Sequence, residues 1–161
     1  MILMNENEIR KIVRDTVSAV KNRKKEMSLA LAERIANAVI DEARRIGVKA
    51  VVCVSDAAGN PRLVKSMDDA YIASYDIAVN KAFTVVALKM PTSDLKELAQ
   101  PGASLYGIQF TNNGKIVIFG GGDPLINDDG VIIGGLGVSG GSEDQDIALS
   151  AYGRKYFETK I

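Results

Sequence analysis

The 161-residue chain contains no histidine and no tryptophan, and it has a single cysteine. The missing histidine excludes most. It removes Ser–His and Cys–His nucleophilic catalysis, imidazole acid–base chemistry and every His-ligated metal site. Zinc would be left with one thiolate and carboxylates, a poor donor set. The lone Cys53 excludes an intrachain disulfide and fits a reducing, cytoplasmic compartment. Net charge is missing too, because 20 Lys and Arg balance 20 Asp and Glu. A neutral chain lacks the basic surface that nucleic-acid binding by counterion release requires. No apolar run reaches the roughly 20 residues of a membrane span, and no secretory leader is visible. Neither a nucleic acid nor a membrane is therefore expected as a partner.

What is present reads as one ordinary domain with an appendage. Hydrophobic residues make 47% and charged residues 25%, the balance of a folded globular chain. On a helical wheel, residues 5–24 gather Ile9, Ile12, Val13, Val17 and Val20 on one side. Arg10, Lys11, Arg14 and Lys21 gather on the other. Asn5 or Asn7 suits the N-cap, with Glu6 and Glu8 at the positive end of the helix dipole. A polar linker over residues 22–27 follows. The division is thus a helix over 1–21, a linker over 22–27 and a domain over 28–161.

Within the domain, Ser28 caps a second helix carrying Leu31, Ile35 and Val39, closed by Gly47. Val48 to Val54 is a buried strand. Residues 57–61 have turn chemistry, and Arg62 to Lys65 returns as the hairpin partner. Asp68 or Asp69 caps a long helix that Pro91 stops. Twelve of the 15 glycines then fall between Gly102 and Gly141. Strands are expected at Leu105–Phe110, Ile116–Phe119 and Val131–Val138. A last helix begins after Ser142, whose spacing to Gln145 is that of a capping box, and ends near Phe157. The order predicts an α+β fold, an antiparallel sheet with helices packed on it.

Two motifs fail on chemistry. Residues 137–141 fit G-x-S-x-G, but the serine has no histidine base. Residues 135–140 fit G-x-G-x-x-G, but no βαβ unit follows, and Glu143, Asp144 and Asp146 already occupy the helix end. The Gly120-Gly121-Gly122 run points to a close backbone approach, by a neighbouring element, a subunit or a flat ligand. The acidic stretch from Asp123 to Asp146 reads as a solvated rim. Lys81 is either a lysine snorkelling from a core helix or a cation aimed into a cavity.

The ordered set Val52–Asn60, Ser66–Ala70, Asn80–Thr84, Pro91–Ser93, Gln100–Gly102, Phe119–Pro124 and Gly137–Gly141 resembles the GlcG/HbpS family of haem-binding-type domains. That family includes the C-terminal domain of PduO-type corrinoid adenosyltransferases. The resemblance spans about residues 28–158. It implies a profilin-like fold, a central antiparallel sheet flanked by helices, and a homo-oligomer, dimer or larger. It also implies a haem, corrinoid or related tetrapyrrole as ligand, and a role accessory to cobalamin-type catabolism. Family members often carry histidine where Asn60 stands. Without histidine, axial ligation of haem would fall to Met67, Cys53, Tyr71, Tyr75 or a lysine, so weak haem attachment is expected. Met67, Tyr71, Lys81, Gly120, Gly121 and Gly122 are the candidate cofactor contacts. The N-terminal helix resembles the encapsulation peptides of bacterial microcompartment cargo, with Ile9, Ile12, Val13, Val17 and Val20 as the face for a shell protein. Two other readings stand beside the ligand-binding one: a non-catalytic assembly protein, and a small-molecule enzyme pairing Lys81 with a carboxylate.

Overall fold

A computed structural model of the chain describes residues 5–22 and 26–160, with side chains of the first helix described as far as Val17. Residues 23–25 of the expected linker, and the side chains of Val20 and Lys21, lie outside the described part. Helix α1 (Glu6–Asn22) starts on a reciprocal cap. The Glu8 amide donates to Asn5 Oδ1, and the Asn5 amide donates to Glu8 Oε2. Helix α2 (Leu29–Arg45) is capped by Ser28, whose hydroxyl accepts from the Leu31 amide, and it buries Leu31, Ile35, Ala36 and Val39.

Four strands follow: β1 (Val51–Asp56), β2 (Pro61–Ser66), β3 (Gly122–Ile126) and β4 (Ile132–Ser139). They form one antiparallel sheet in the order β2-β1-β4-β3. Helices α3 (Ile72–Ala87), α4 (Thr92–Leu98) and α5 (Glu143–Lys160) complete the fold. The sheet has helices on both faces, as the α+β, profilin-like expectation required. The pleat sends Val52, Val54, Leu136 and Val138 into the main core with Ile35, Val39, Leu149 and Phe157 of α2 and α5. It sends Val51 and Cys53 to the other face, against Ala78 and Ala82 of α3. Alanines on α3 meet Gly135 and Gly137 on β4, so this helix lies on the sheet backbone itself.

Several local expectations are corrected. Leu105–Phe110 is not a strand. Gly107 takes φ 89 there, and the segment closes into a 3-10 turn at Ile108–Phe110. Ile116–Phe119 is not a strand either; Val117 donates its amide to Thr84 Oγ1 instead of to a ladder. The strand begins later, at Gly122, where the glycine run enters the sheet. Residues Thr92–Leu98 form a helix that the sequence reading missed. Neither Asp68 nor Asp69 caps α3. Its N-cap is Tyr71, with no side-chain cap bond, and Asp69 sits at φ 64 in the preceding turn. The capping box of α5 forms as expected, the Ser142 amide donating to Gln145 Oε1 and the Gln145 amide to Ser142 Oγ.

Candidate functional site

Lys81 is fully buried at the centre of α3, and it does not snorkel. Its ammonium donates to Asp146 Oδ2 at 3.0 Å and to the Val138 carbonyl at 2.7 Å. The Phe119 ring covers it, with the centroid 4.9 Å from Nζ. Asp146, itself 4% exposed, accepts on Oδ1 from the Gly141 amide. Burial pulls the Lys81 ammonium below the usual lysine range, and the attraction of Asp146 opposes that. Burial likewise pushes the Asp146 carboxyl up against the attraction of Lys81. Removing both charges from water thus outweighs their mutual attraction.

The glycine run is explained by this pair. Gly121 crosses directly above it at φ 108, where a Cβ would lie 2.7 Å from both Lys81 Nζ and Asp146 Cβ. A Cβ on Gly120 would overlap Ile147, and Gly122 packs against Thr92 and Val85. The Gly120 amide donates to Glu143 Oε1, and Glu143 Oε2 pairs with Lys96 at 2.6 Å. Gly121 therefore stands against Lys81, and the close approach that the glycine run permits is to its own chain, one of the alternatives the sequence left open.

The acidic rim is corrected in two places. Asp146 is in the buried pair, and Asp123 is only 8% exposed. Asp123 accepts from Ser150 Oγ at 2.6 Å and pairs with Arg154, while burial pushes its carboxyl upward. Sequence reading missed Asp146 as the partner of Lys81. A lysine on an apolar helix stripe demands a buried anion, but five other acids lie on the same stretch, and only the fold selects among them.

Two concavities border these elements. A cleft of about 270 Å³ lies beside the ion pair, lined by Tyr71, Ser74, Ile77, Phe119, Ser139 and Glu143. A larger groove of about 780 Å³ lies between α2 and the end of β2, lined by Asn37, Ile40, Arg44, Lys49, Lys65 and Met67, with Asp41 and Asp68. Tyr71 thus belongs to the cleft and Met67 to the groove, while Lys81 lines neither and reaches the cleft wall through Asp146. Met67 packs against the α2 side of the sheet, and its sulfur accepts from the Ala50 amide at 3.3 Å. The other ligand candidates are unequal. Cys53 is fully buried, and burial pushes its thiol up to about 12. Tyr75 is half exposed on α3, and Tyr71 stands at the cleft rim, 74% exposed. Among the described residues no three acidic or cysteine side chains converge as a metal site would require.

On α1, Ile9, Ile12, Val13 and Val17 remain about half exposed, so the stripe is not buried on the domain. No described helix is long and apolar enough to cross a membrane.

Known proteins are similar to this chain in sequence and fold. The chain is 48% identical, over 77% of its length and 87% of the relative's, to a 15.0 kDa protein of the dhaT-dhaS intergenic region of Citrobacter freundii. It is 42% identical over 73% of its length to the corrinoid adenosyltransferase PduO of Salmonella typhimurium, of which it spans 34%. Among solved structures, Klebsiella pneumoniae ORFY matches at 43% identity and TM-score 0.79, over 81% of this chain and 90% of that one. A PduOC:heme complex matches at 38% identity and TM-score 0.77, over 81% and 94%. The model of the haem-degrading, HbpS-like proteins matches residues 27–155, which hold the whole sheet, the Lys81–Asp146 pair and both concavities. On that extent of agreement in sequence and fold, the chain belongs to the HbpS-like family.

Proposed function

We propose that the protein binds a tetrapyrrole, haem or a corrinoid, in the groove between α2 and β2, as an accessory to cobalamin-type metabolism. The observation that carries this reading is the groove itself. Its volume of about 780 Å³ lies within the usual range for ligand sites. Ile40 and Met67 give it an apolar floor. Arg44, Lys49 and Lys65 against Asp41 and Asp68 give it one net positive charge. Arg44 is paired with Asp41, and Lys65 donates to Asn37, while Lys49 has no ion pair among the described residues. Such an edge suits the carboxylates of a flat apolar macrocycle. The haem-bound relative supports the ligand class. Without histidine the ligand is held by its face and edge more than by its metal.

The test is an absorbance titration with hemin and with aquocobalamin. A saturable shift is expected without the sharp Soret band of a strongly ligated haem. Replacing Arg44, Lys49 and Lys65 together by Glu should weaken hemin binding at least about tenfold, and added salt should weaken it in the wild type. No saturable change, or an unweakened triple variant, would remove the groove from consideration. A sharp Soret band lost in Met67→Ala or Tyr71→Phe would instead name an axial ligand.

The N-terminal helix supports a second element of the same reading, delivery into a microcompartment. Its stripe is unburied at home, and docking four aliphatic side chains on a shell protein is worth roughly 1.5–3 kcal/mol each before ordering costs. Removing residues 1–25 should leave the melting temperature of the domain unchanged. Fused to a fluorescent protein, the same residues should concentrate it in microcompartments of a host that builds them. Ile12→Asp with Val13→Asp should disperse it. A diffuse fusion would overturn the targeting reading, and a truncated domain that melts many degrees lower would show that α1 belongs to the fold. Self-association is part of the reading as well. Tyr71, Ile72 and Tyr75 form an exposed apolar face at the start of α3 that a second copy would cover.

A further inference from the structure

We propose that the cleft beside the Lys81–Asp146 pair is a second binding site, separate from the groove, for a small neutral carbonyl compound, an aldehyde or a ketone. Ser74 and Ser139 are both buried, 3% and 4% exposed, and both line the cleft. Their hydroxyls share one hydrogen bond at 3.1 Å and make no other among the described residues. Two hydroxyls carry two protons. Whichever of them donates, one proton of the pair is left without an acceptor. The pair therefore offers a spare donor to a ligand oxygen that enters the cleft.

The charges around the cleft determine what kind of oxygen. Asp146 is matched by Lys81 at 3.0 Å and Glu143 by Lys96 at 2.6 Å. The four groups sum to zero, and they still do if the buried pair holds its shared proton on the carboxylate. An anion would face two carboxylates and a cation two ammonium groups, so neither is drawn in. Both Asp146 oxygens are already engaged, Oδ1 by the Gly141 amide and Oδ2 by Lys81. An acceptor without a proton of its own is the best complement to a site whose unspent group is a donor. The remaining walls, Phe119, Ile77 and Tyr71, suit a short hydrocarbon tail. The volume of about 270 Å³ lies just below the range of drug-sized sites and admits a small ligand.

Acetone is a suitable probe, with sodium acetate and methylammonium chloride as its charged counterparts. In a nitrogen-15 NMR titration of the full chain, acetone should shift the amides of Ser139, Gly140 and Gly141 saturably in the millimolar range. The two charged probes should not. Ser74→Ala with Ser139→Ala removes the unspent proton and should weaken acetone binding by about tenfold. Its overall amide spectrum should stay folded, since the pair bonds only to itself. Hemin binding in the groove should be unaffected by this double variant, so the two sites can fail separately. Acetone shifts that never saturate, acetate binding as well as acetone does, or a double variant that binds acetone undiminished would each overturn the proposal.

Discussion

Replacing Lys81 by Met is expected to lower the folding stability by about 3–5 kcal/mol, the usual cost of removing one partner from a buried ion pair. The lysine stem can be imitated by methionine, so packing is nearly kept. The Asp146 carboxylate, however, would remain 4% exposed without its cation, and the Val138 carbonyl would lose its donor. The loss should be recovered in large part by Lys81→Met combined with Asp146→Asn. Asparagine still offers Oδ1 to the Gly141 amide, and it brings no charge into the core. Urea denaturation at pH 7 is the measurement, with the two variants compared at equal m-value. A single variant that costs less than about 1 kcal/mol would mean that the pair adds as little as an exposed ion pair does. A double variant no more stable than the single one would mean that the charge of Asp146 is not what makes the loss severe. The titration of the groove should be unchanged in either case, because Met67 and Lys81 stand on opposite sides of the sheet.

How far the sequence could be read depended on whether the signal was local. The caps of α1, α2 and α5 are short-range chemistry, and Asn5, Ser28 and Ser142 make the bonds that their types predict. The β-branched run at Val51–Val54 is buried on both faces, so its apolarity alone marks a strand. The segments Leu105–Phe110 and Ile116–Phe119 also carry apolar residues but became turns and irregular backbone. What distinguishes the first of them is Gly107 at φ 89 and the bond from the Leu105 amide to the Leu98 carbonyl, a contact with a helix that was not foreseen. Strand β3 hid behind Gly122 and Pro124, residues that depress strand propensity but suit an edge strand. The site followed the same rule. Lys81 was visible as an oddity on an apolar stripe. Asp146, 65 residues away, and the hydroxyl pair Ser74–Ser139 were not, because nothing local ties them together.

Gly137→Ala should be among the most damaging single-methyl changes in this chain. Residues of β4 alternate between the two faces of the sheet, Leu136 and Val138 pointing into the main core and Gly135 and Gly137 pointing toward α3. A Cβ on Gly137 would overlap the Ala78 carbonyl oxygen and lie 2.7 Å from the Ala82 nitrogen. Those are backbone atoms of a helix and cannot rotate aside. The helix as a whole must lift, and it carries Lys81 away from Asp146 as it does so. Overpacking a core usually costs 1–3 kcal/mol where side chains can yield, so about 3 kcal/mol or more is expected here. For a chain of this length that corresponds to a fall in melting temperature of roughly 6–12 °C. Gly122→Ala is the control. Its Cβ would meet the Thr92 and Val85 methyl groups at 2.9 and 3.0 Å and Thr92 Oγ1 at 3.2 Å, side-chain atoms rather than a helix backbone, so what must shift is smaller. It should melt much closer to the wild type. If Gly137→Ala melts no lower than Gly122→Ala, then α3 rides on the sheet loosely enough to move. The buried ion pair beneath the glycine run would then have to be held by α5 and β4 rather than by the seating of α3.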